Sequence, residues 1–226
     1  YDFTSASGYF RNIQARLSWQ GAKVRESYVT NQGVPVGPPP PAPQIFASRL
    51  RVRDSDFRNR GFSGSVQVES AAQLGERAHR ILWGLDASQT KQTRYEDFSQ
   101  FDGTTGAFLN KVFVGENFPL KRIPDGDVGR YAFFAQDEVT LDAAQRYIAT
   151  WGFRVDHYHL GVTDDALYQN LAKGTPPVDF DQWAVAPKLG LLWHASEQEA
   201  FFARYHRGFR NPTNEDLNGS IVNLTT

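Results

Sequence analysis

Apolar and polar residues alternate with a period of two through most of the region 129–209. In 131–141 the odd-numbered positions are mainly aromatic or aliphatic, and the same alternation returns in 147–155 after a polar turn, 142–145. Successive side chains of a β-strand point to opposite faces, so this period predicts strands with one apolar and one polar face. The two segments are predicted to form an antiparallel hairpin.

The alternation predicts five further strands, at 13–20, 62–70, 81–87, 185–193 and 201–205. Short turns at 74–77 and 195–198 contrast with long polar connections at 92–127 and 159–181. Short turns on one side and long loops on the other are typical of an outer-membrane β-barrel. The predicted fold class is therefore all-β, an antiparallel transmembrane β-barrel.

Composition narrows the choice of class. No apolar stretch approaches the roughly 20 residues of a transmembrane helix, and the mean hydropathy of −0.50 is compatible with a barrel whose other face is wet. The absence of cysteine excludes disulfides, thiolate metal sites and a cysteine nucleophile. A net charge of −1 argues against a nucleic-acid partner. Residues 33–43 are rich in proline, which donates no ladder hydrogen bond, and are predicted to form a loop or polyproline segment.

The chain has no methionine and no signal peptide, so we expect it to be a piece of a longer protein. About seven to nine strands of roughly ten residues would not close a wide transport barrel.

Four blocks in the second half resemble TonB-dependent outer-membrane receptors, in the order found in that family. They are FPLKRIPDGDVGRYAFFAQDEVTL at 118–141, WGFRVDHYHL at 151–160, APKLGLLW at 186–193 and EAFFARYHRGFRNPTNEDLNG at 199–219. The resemblance implies that 1–226 is part of a large barrel domain, of 22 strands in this family, without the plug domain and the C-terminal strands. It also implies a Gram-negative outer-membrane location among outer-membrane lipids, and coupling to the TonB–ExbB–ExbD system through the plug.

Within that family, FPLKRIPDG and FRNPTNEDLNGSIVNL are most similar to the haem and haemoglobin receptors. The resemblance implies haem as transported ligand, haem or haemoglobin as partner, and no permanently bound cofactor. The box that usually reads FRAP carries Asn211 in place of alanine. The family's haem-liganding histidine would follow the box, so it corresponds to no residue of this sequence.

Five residues are candidate ligand contacts. Arg210 is expected near the extracellular rim, where its guanidinium could bind a carboxylate such as a haem propionate or form a structural ion pair with Glu215 or Asp216. His206 shares a strand face with Arg204, and a neutral imidazole there could bind haem iron. Asn211 and Pro212 complete the box, and Pro212 resembles turn chemistry.

Two sets of side chains are assigned to the barrel wall. His157 and His159 have the spacing of a metal-binding pair but no visible third ligand, and Tyr158 between them is expected in an interfacial aromatic belt. His79 and His194 show no partner pattern. Five charged residues are predicted to line a polar interior: Arg130, Glu138, Arg154, Asp156 and Lys188.

Two alternatives remain open. A siderophore or other nutrient receptor has the same architecture, and a soluble β-sandwich adhesion module belongs to another class. No G-x-S-x-G elbow or phosphate-binding loop is present, so an enzyme is not expected.

Overall fold

A computed structural model describes residues 2–4, 9–37 and 45–219. The strands are β1 (Asp2–Thr4), β2 (Phe10–Val36), β3 (Ile45–Leu74), β4 (Arg77–Asp102), β5 (Phe108–Asn110), β6 (Val112–Phe113), β7 (Glu116–Asn117), β8 (Asp125–Thr140), β9 (Tyr147–Thr163), β10 (Phe180–His194) and β11 (Ala200–His206). The helices are α1 (Ala166–Ala172) and α2 (Asn214–Asn218). Neither described helix has the length and hydropathy needed to cross a membrane.

One large antiparallel sheet contains nine of these strands, in the order β1-β2-β3-β4-β8-β9-β10-β11, with β5 added beside β4. The remaining strands, β6 and β7, form a small hairpin. The large sheet curls into part of a barrel, which confirms the predicted fold class. The β-sandwich alternative is wrong, because the described residues contain no second large sheet to pack against the first.

The three short turns occur where the alternation predicted them. Gly75 turns with a positive φ of 64°, a conformation that glycine adopts without strain. The Asp142 carboxylate accepts hydrogen bonds from the backbone of Arg146 at 2.7 Å and of Tyr147 at 3.0 Å, which closes the second turn. In the third turn the Ser196 hydroxyl accepts a 3.1 Å hydrogen bond from the Glu199 backbone.

The strand lengths differ from the prediction. β2, β3 and β4 have 27, 30 and 26 residues, against the roughly ten expected of a transmembrane strand. At about 3.3 Å per residue, β3 spans roughly 100 Å, whereas the apolar band of such barrels is about 25 Å tall. These strands therefore continue well past the apolar band, and backbone pairing goes on beyond it.

The longer strands shorten the predicted loops. The connection placed at 92–127 begins after Asp102, and the one placed at 159–181 begins after Thr163 and contains α1. Residues 33–36 belong to β2 and pair with 45–48, so the loop predicted at 33–43 is wrong there. Gly37 forms a bend, and the remaining residues, 38–43, lie outside the described part of the chain.

The sheet has an apolar outer face and a polar inner face. On the outer face of β2 and β3, Leu17 is 92% exposed, Trp19 64% and Phe62 68%. Large exposed side chains continue this band across the sheet at Leu85, Tyr131, Trp151, Trp183, Leu189, Phe201 and Tyr205. Exposure on this scale is costly in water and favourable against hydrocarbon.

Two clusters of buried apolar side chains lie at the end of the sheet opposite the short turns. One cluster joins Tyr158 and Leu160 to Val128, with Phe180 and Leu217 packed against it. The other joins Phe98, Phe118 and Leu120. Both form where the long connections fold back onto the inner face, so the loops are part of the packed structure.

Candidate functional site

An open depression of about 980 Å³ lies on the inner face. Strands β2, β3, β4, β8 and β9 form its floor, and 209–211 close one side. Its charged lining consists of Arg16, Asp86, Arg130, Arg154, Asp156 and Arg210. Four guanidiniums against two carboxylates leave the lining with a positive surplus.

Arg154 connects two strands that do not pair with each other. Its Nη1 donates to Asp86 on β4 at 2.7 Å, and its Nε donates to the Asp156 carboxylate at 2.9 Å. The residue between these carboxylates on β8 is Ala132, paired with both. Its methyl group leaves room for the guanidinium to reach across. Arg154 is thus held in place by protein carboxylates.

Arg130 and Arg16 have no ion pair among the described residues. The Arg130 guanidinium lies 5.4 Å from the centre of the Tyr158 ring, a cation–π distance. Arg16 makes only a long hydrogen bond, 3.4 Å, to Gln14. Both side chains are exposed in the depression, so their charge is available to an anion.

Tyr158 anchors the segment that follows β11. Its side chain is 2% exposed, and its hydroxyl donates to the carbonyl oxygen of Pro212 at 3.0 Å. Tyr158 therefore faces inward, and its predicted place in an interfacial belt is wrong. The physical reason is the alternation itself: an even position on β9 shares the inner face with Arg154 and Asp156.

The short helix α2 also holds the segment that follows β11. Buried Asn214 donates to the Pro124 carbonyl at 2.8 Å. Buried Asn218 accepts from the Val178 backbone at 2.6 Å and donates to the Val178 carbonyl at 3.0 Å. The helix therefore ties together the connections before β8 and before β10.

A capping box starts α2. The Thr213 hydroxyl accepts from the Asp216 backbone at 3.2 Å, and the Asp216 carboxylate accepts from the Thr213 backbone at 2.9 Å. These hydrogen bonds with Thr213, together with the Arg210 charge, hold the pKa of Asp216 below its usual value.

The structure brings two of the five candidate ligand residues to the depression. Arg210 lines it, and the predicted ion pair forms with Asp216 at 3.1 Å. Asn211 also lines it, and its side-chain oxygen is buried with no hydrogen-bond partner among the described residues. Pro212 lies behind them as the acceptor for Tyr158.

The other two candidates lie elsewhere. Arg204 and His206 are on β11, opposite Gly190 and Lys188, and both are exposed outside the lining of the depression. Of the predicted inner-wall residues, Lys188 donates to Gln136 at 2.7 Å on that same face.

Three of the remaining histidines, His79, His157 and His159, have partners that the sequence did not reveal. His157 and His159 lie on the outer face, and each has a ring nitrogen 3.1 Å from the Asp181 carboxylate. His157 also stacks on Trp183 with ring centres 4.5 Å apart. The described residues contain no group of three or more His, Cys, Asp or Glu arranged to hold a metal. His79 contacts Asp137 at 2.7 Å, so it does have a partner.

Sequence reasoning missed Arg16 and Asp86 as parts of the site. Their positions on polar strand faces were visible, but their distance from Arg210 depends on the register of five strands. Alternation assigns a residue to a face and gives no register between strands that are distant in sequence.

The chain is similar to a family model and to a solved structure. A family model described as "TonB dependent receptor-like, beta-barrel" matches residues 1–225. No curated protein matches the chain. Among solved structures, the crystal structure of the ferric citrate transporter FecA in the unliganded form is similar, with 14% sequence identity and a TM-score of 0.45. The match covers 84% of this chain and 26% of that chain, so the sequence spans about a quarter of FecA.

Proposed function

The chain belongs to the TonB-dependent receptor-like β-barrel family of the Gram-negative outer membrane, and from this we propose that it forms part of a receptor that imports an anionic iron complex. The family consists of receptors and transporters, and the proposed activity is binding and gated passage. In this proposal the extracellular connections capture the complex. The TonB–ExbB–ExbD system then supplies the energy by acting on a plug domain of the whole receptor.

The positive surplus of the inner depression carries the proposal. Arg16, Arg130, Arg154 and Arg210 face two lining carboxylates. Asp216, outside the lining, forms an ion pair with Arg210, so the four guanidiniums exceed the three carboxylates by one positive charge. Guanidiniums bind carboxylates through charge-assisted and often bidentate hydrogen bonds. A ligand bearing carboxylates or other anionic groups fits this lining.

Haem is our first candidate for that ligand. Its two propionates match the unpaired guanidiniums of Arg130 and Arg16, and its flat apolar ring would lie against the wall of the depression. The resemblance of the 118–126 and 209–224 segments to haem and haemoglobin receptors supports the same choice. Haemoglobin is then the proposed source of the haem.

A ferric siderophore is the second candidate, and Asn211 favours it. Its buried side-chain oxygen is an acceptor without a described partner. Unpartnered buried acceptors are unfavourable, so a ligand with a hydroxyl or amide donor would stabilise this position. Ionised propionates offer acceptors only, whereas hydroxy-acid and hydroxamate chelators often offer donors as well.

Titration of the intact receptor in detergent separates these candidates. Haem binding is followed by the Soret absorbance, and binding of a ferric hydroxamate by tryptophan fluorescence. In Arg130→Gln the loss of one charge-assisted contact, about 1.5–3 kcal/mol, should weaken binding of the true ligand roughly 10- to 100-fold.

Arg60→Gln is the matched control, because Arg60 is an exposed arginine on the opposite face of the sheet. Saturable binding of haem alone identifies the haem receptor, and saturable binding of the hydroxamate alone identifies the second candidate. Equal affinities of Arg130→Gln and Arg60→Gln for the ligand that binds would contradict the proposed site.

A further inference from the structure

Five basic side chains gather on the outer face of β2, β3 and β4, just beyond the apolar band. They are Lys23, Arg25, Arg58, Arg60 and Lys91, and all are exposed. We call them the basic patch. The band itself ends beside them: Trp19 and Phe62 pair with each other at its upper border. A Cβ added to Gly21 would lie 3.0 Å from the Trp19 ring, and Gly21 pairs directly with Arg60.

The sheet register places like charges opposite each other in the patch. Lys23 pairs with Arg58, and Arg60 pairs with Lys91. Directly opposed like charges destabilise a sheet, because their side chains share one face at short distance. Anions beside these two adjacent pairs would stabilise them, and the carboxylates of the strands neutralise only part of the positive charge.

Two carboxylates reduce the excess without cancelling it. Asp56 accepts from Arg58 at 2.7 Å and lies 3.7 Å from Lys23 and 3.6 Å from Arg25. Asp127 lies 3.7 Å from Lys91. Arg60 has no ion pair among the described residues. Five cations against two carboxylates leave three positive charges in excess.

The excess is local to the border of the band. Farther from the band, Asp54 and Asp97 pair across β3 and β4, and Asp97 binds Lys111 at 2.7 Å. The surface thus changes from apolar to basic to acidic along the strands. A membrane headgroup layer meets the barrel at the first of these transitions.

We propose that the basic patch binds phosphate groups on the glycolipid of the outer leaflet. Long connections mark the patch's end of the barrel as extracellular. The lipid that covers this leaflet in Gram-negative bacteria carries phosphates on its sugar headgroup. Arginine and lysine bind phosphate through charge-assisted hydrogen bonds, and basic residues near an anionic leaflet attract it. The inference uses the membrane placement of the barrel and is independent of the transported ligand.

The test measures binding of fluorescent lipopolysaccharide to the intact receptor in detergent. The double variant Arg60→Gln/Lys91→Gln removes one like-charge pair, so folding should be maintained or improved. Each Lys or Arg near an anionic lipid surface increases the affinity roughly five- to sixfold, so the loss of two should weaken binding roughly thirtyfold. Enzymatically dephosphorylated lipopolysaccharide should bind the unchanged receptor with a similar loss.

The control is Arg77→Gln/Lys173→Gln, which removes two exposed cations outside the patch. It should leave lipopolysaccharide affinity unchanged. Equal losses in the two double variants would overturn the proposal, and so would equal affinity for phosphorylated and dephosphorylated lipid. Displacement of the lipid by millimolar inorganic phosphate would also overturn it, because the patch would then be a general anion site.

Discussion

Replacing Asn218 by alanine should release the segment that carries Arg210 and Asn211. Asn218 is 5% exposed and makes three hydrogen bonds: two with the backbone of Val178, at 2.6 and 3.0 Å, and one with Asn214 at 3.0 Å. At about 1 kcal/mol for each hydrogen bond, the loss is about 3 kcal/mol. That corresponds to an increase of roughly 150-fold in the local opening equilibrium, since each 1.4 kcal/mol is a factor of ten.

Amide hydrogen exchange of the intact receptor measures this opening directly. In Asn218→Ala the amides of 207–219 and of Val178 should lose protection, while the paired amides of β8 and β9 should keep theirs. Glu215→Ala is the matched control, because Glu215 is an exposed residue of the same helix. Unchanged exchange in 207–219, or equal changes in the two variants, would refute the argument that α2 is held by Asn218.

Three further predictions address the anchor, the capping box and the apolar band. Tyr158→Phe deletes the donor to the Pro212 carbonyl and should destabilise 207–219 by about 1 kcal/mol, measured by hydrogen exchange; unchanged protection would contradict this role. The pKa of Asp216 is lowered in the folded protein, so its carboxylate stabilises α2 above the usual value of 3.8, and this stabilisation is lost as the pH falls through the folded value. Protection of α2 against hydrogen exchange should therefore decrease in acid. Asp216→Asn should abolish this pH dependence. Leu189→Arg, on the outer face, should destabilise the receptor in bilayers by about 2–4 kcal/mol in urea titration; an equal effect of Gly190→Arg, on the inner face, would contradict the assignment of faces.

The sequence predicted the membrane-facing part of the fold well because that part has two chemically different faces. The short turn at 142–145 and the strands on either side of it follow from alternation alone. The upper halves of β2 and β3 were missed because apolar and polar residues do not alternate regularly along most of their length. In β3, for example, Leu50 and Val52 alternate with Arg49, Arg51 and Arg53, but from 54 to 61 the single large apolar residue is Phe57.

The candidate site was predictable only where its contacts are local. The pair between Arg210 and Asp216 spans six residues and was anticipated. The contacts of Arg154 with Asp86 and of Asn218 with Val178 span 68 and 40 residues, and depend on strand register and loop folding. A local period of hydrophobicity predicts neither strand register nor loop folding.

The position of α2 links binding of the proposed ligand at Arg210 to the extracellular connections. An anion that binds Arg210 competes with Asp216, whose carboxylate also accepts the backbone hydrogen bond that caps α2. The same helix holds the Pro124 and Val178 backbones through Asn214 and Asn218. A change in charge at Arg210 therefore acts on an element that bridges two long connections. Because these contacts are hydrogen bonds at the surface of a small apolar cluster, their rearrangement leaves the strand ladder intact.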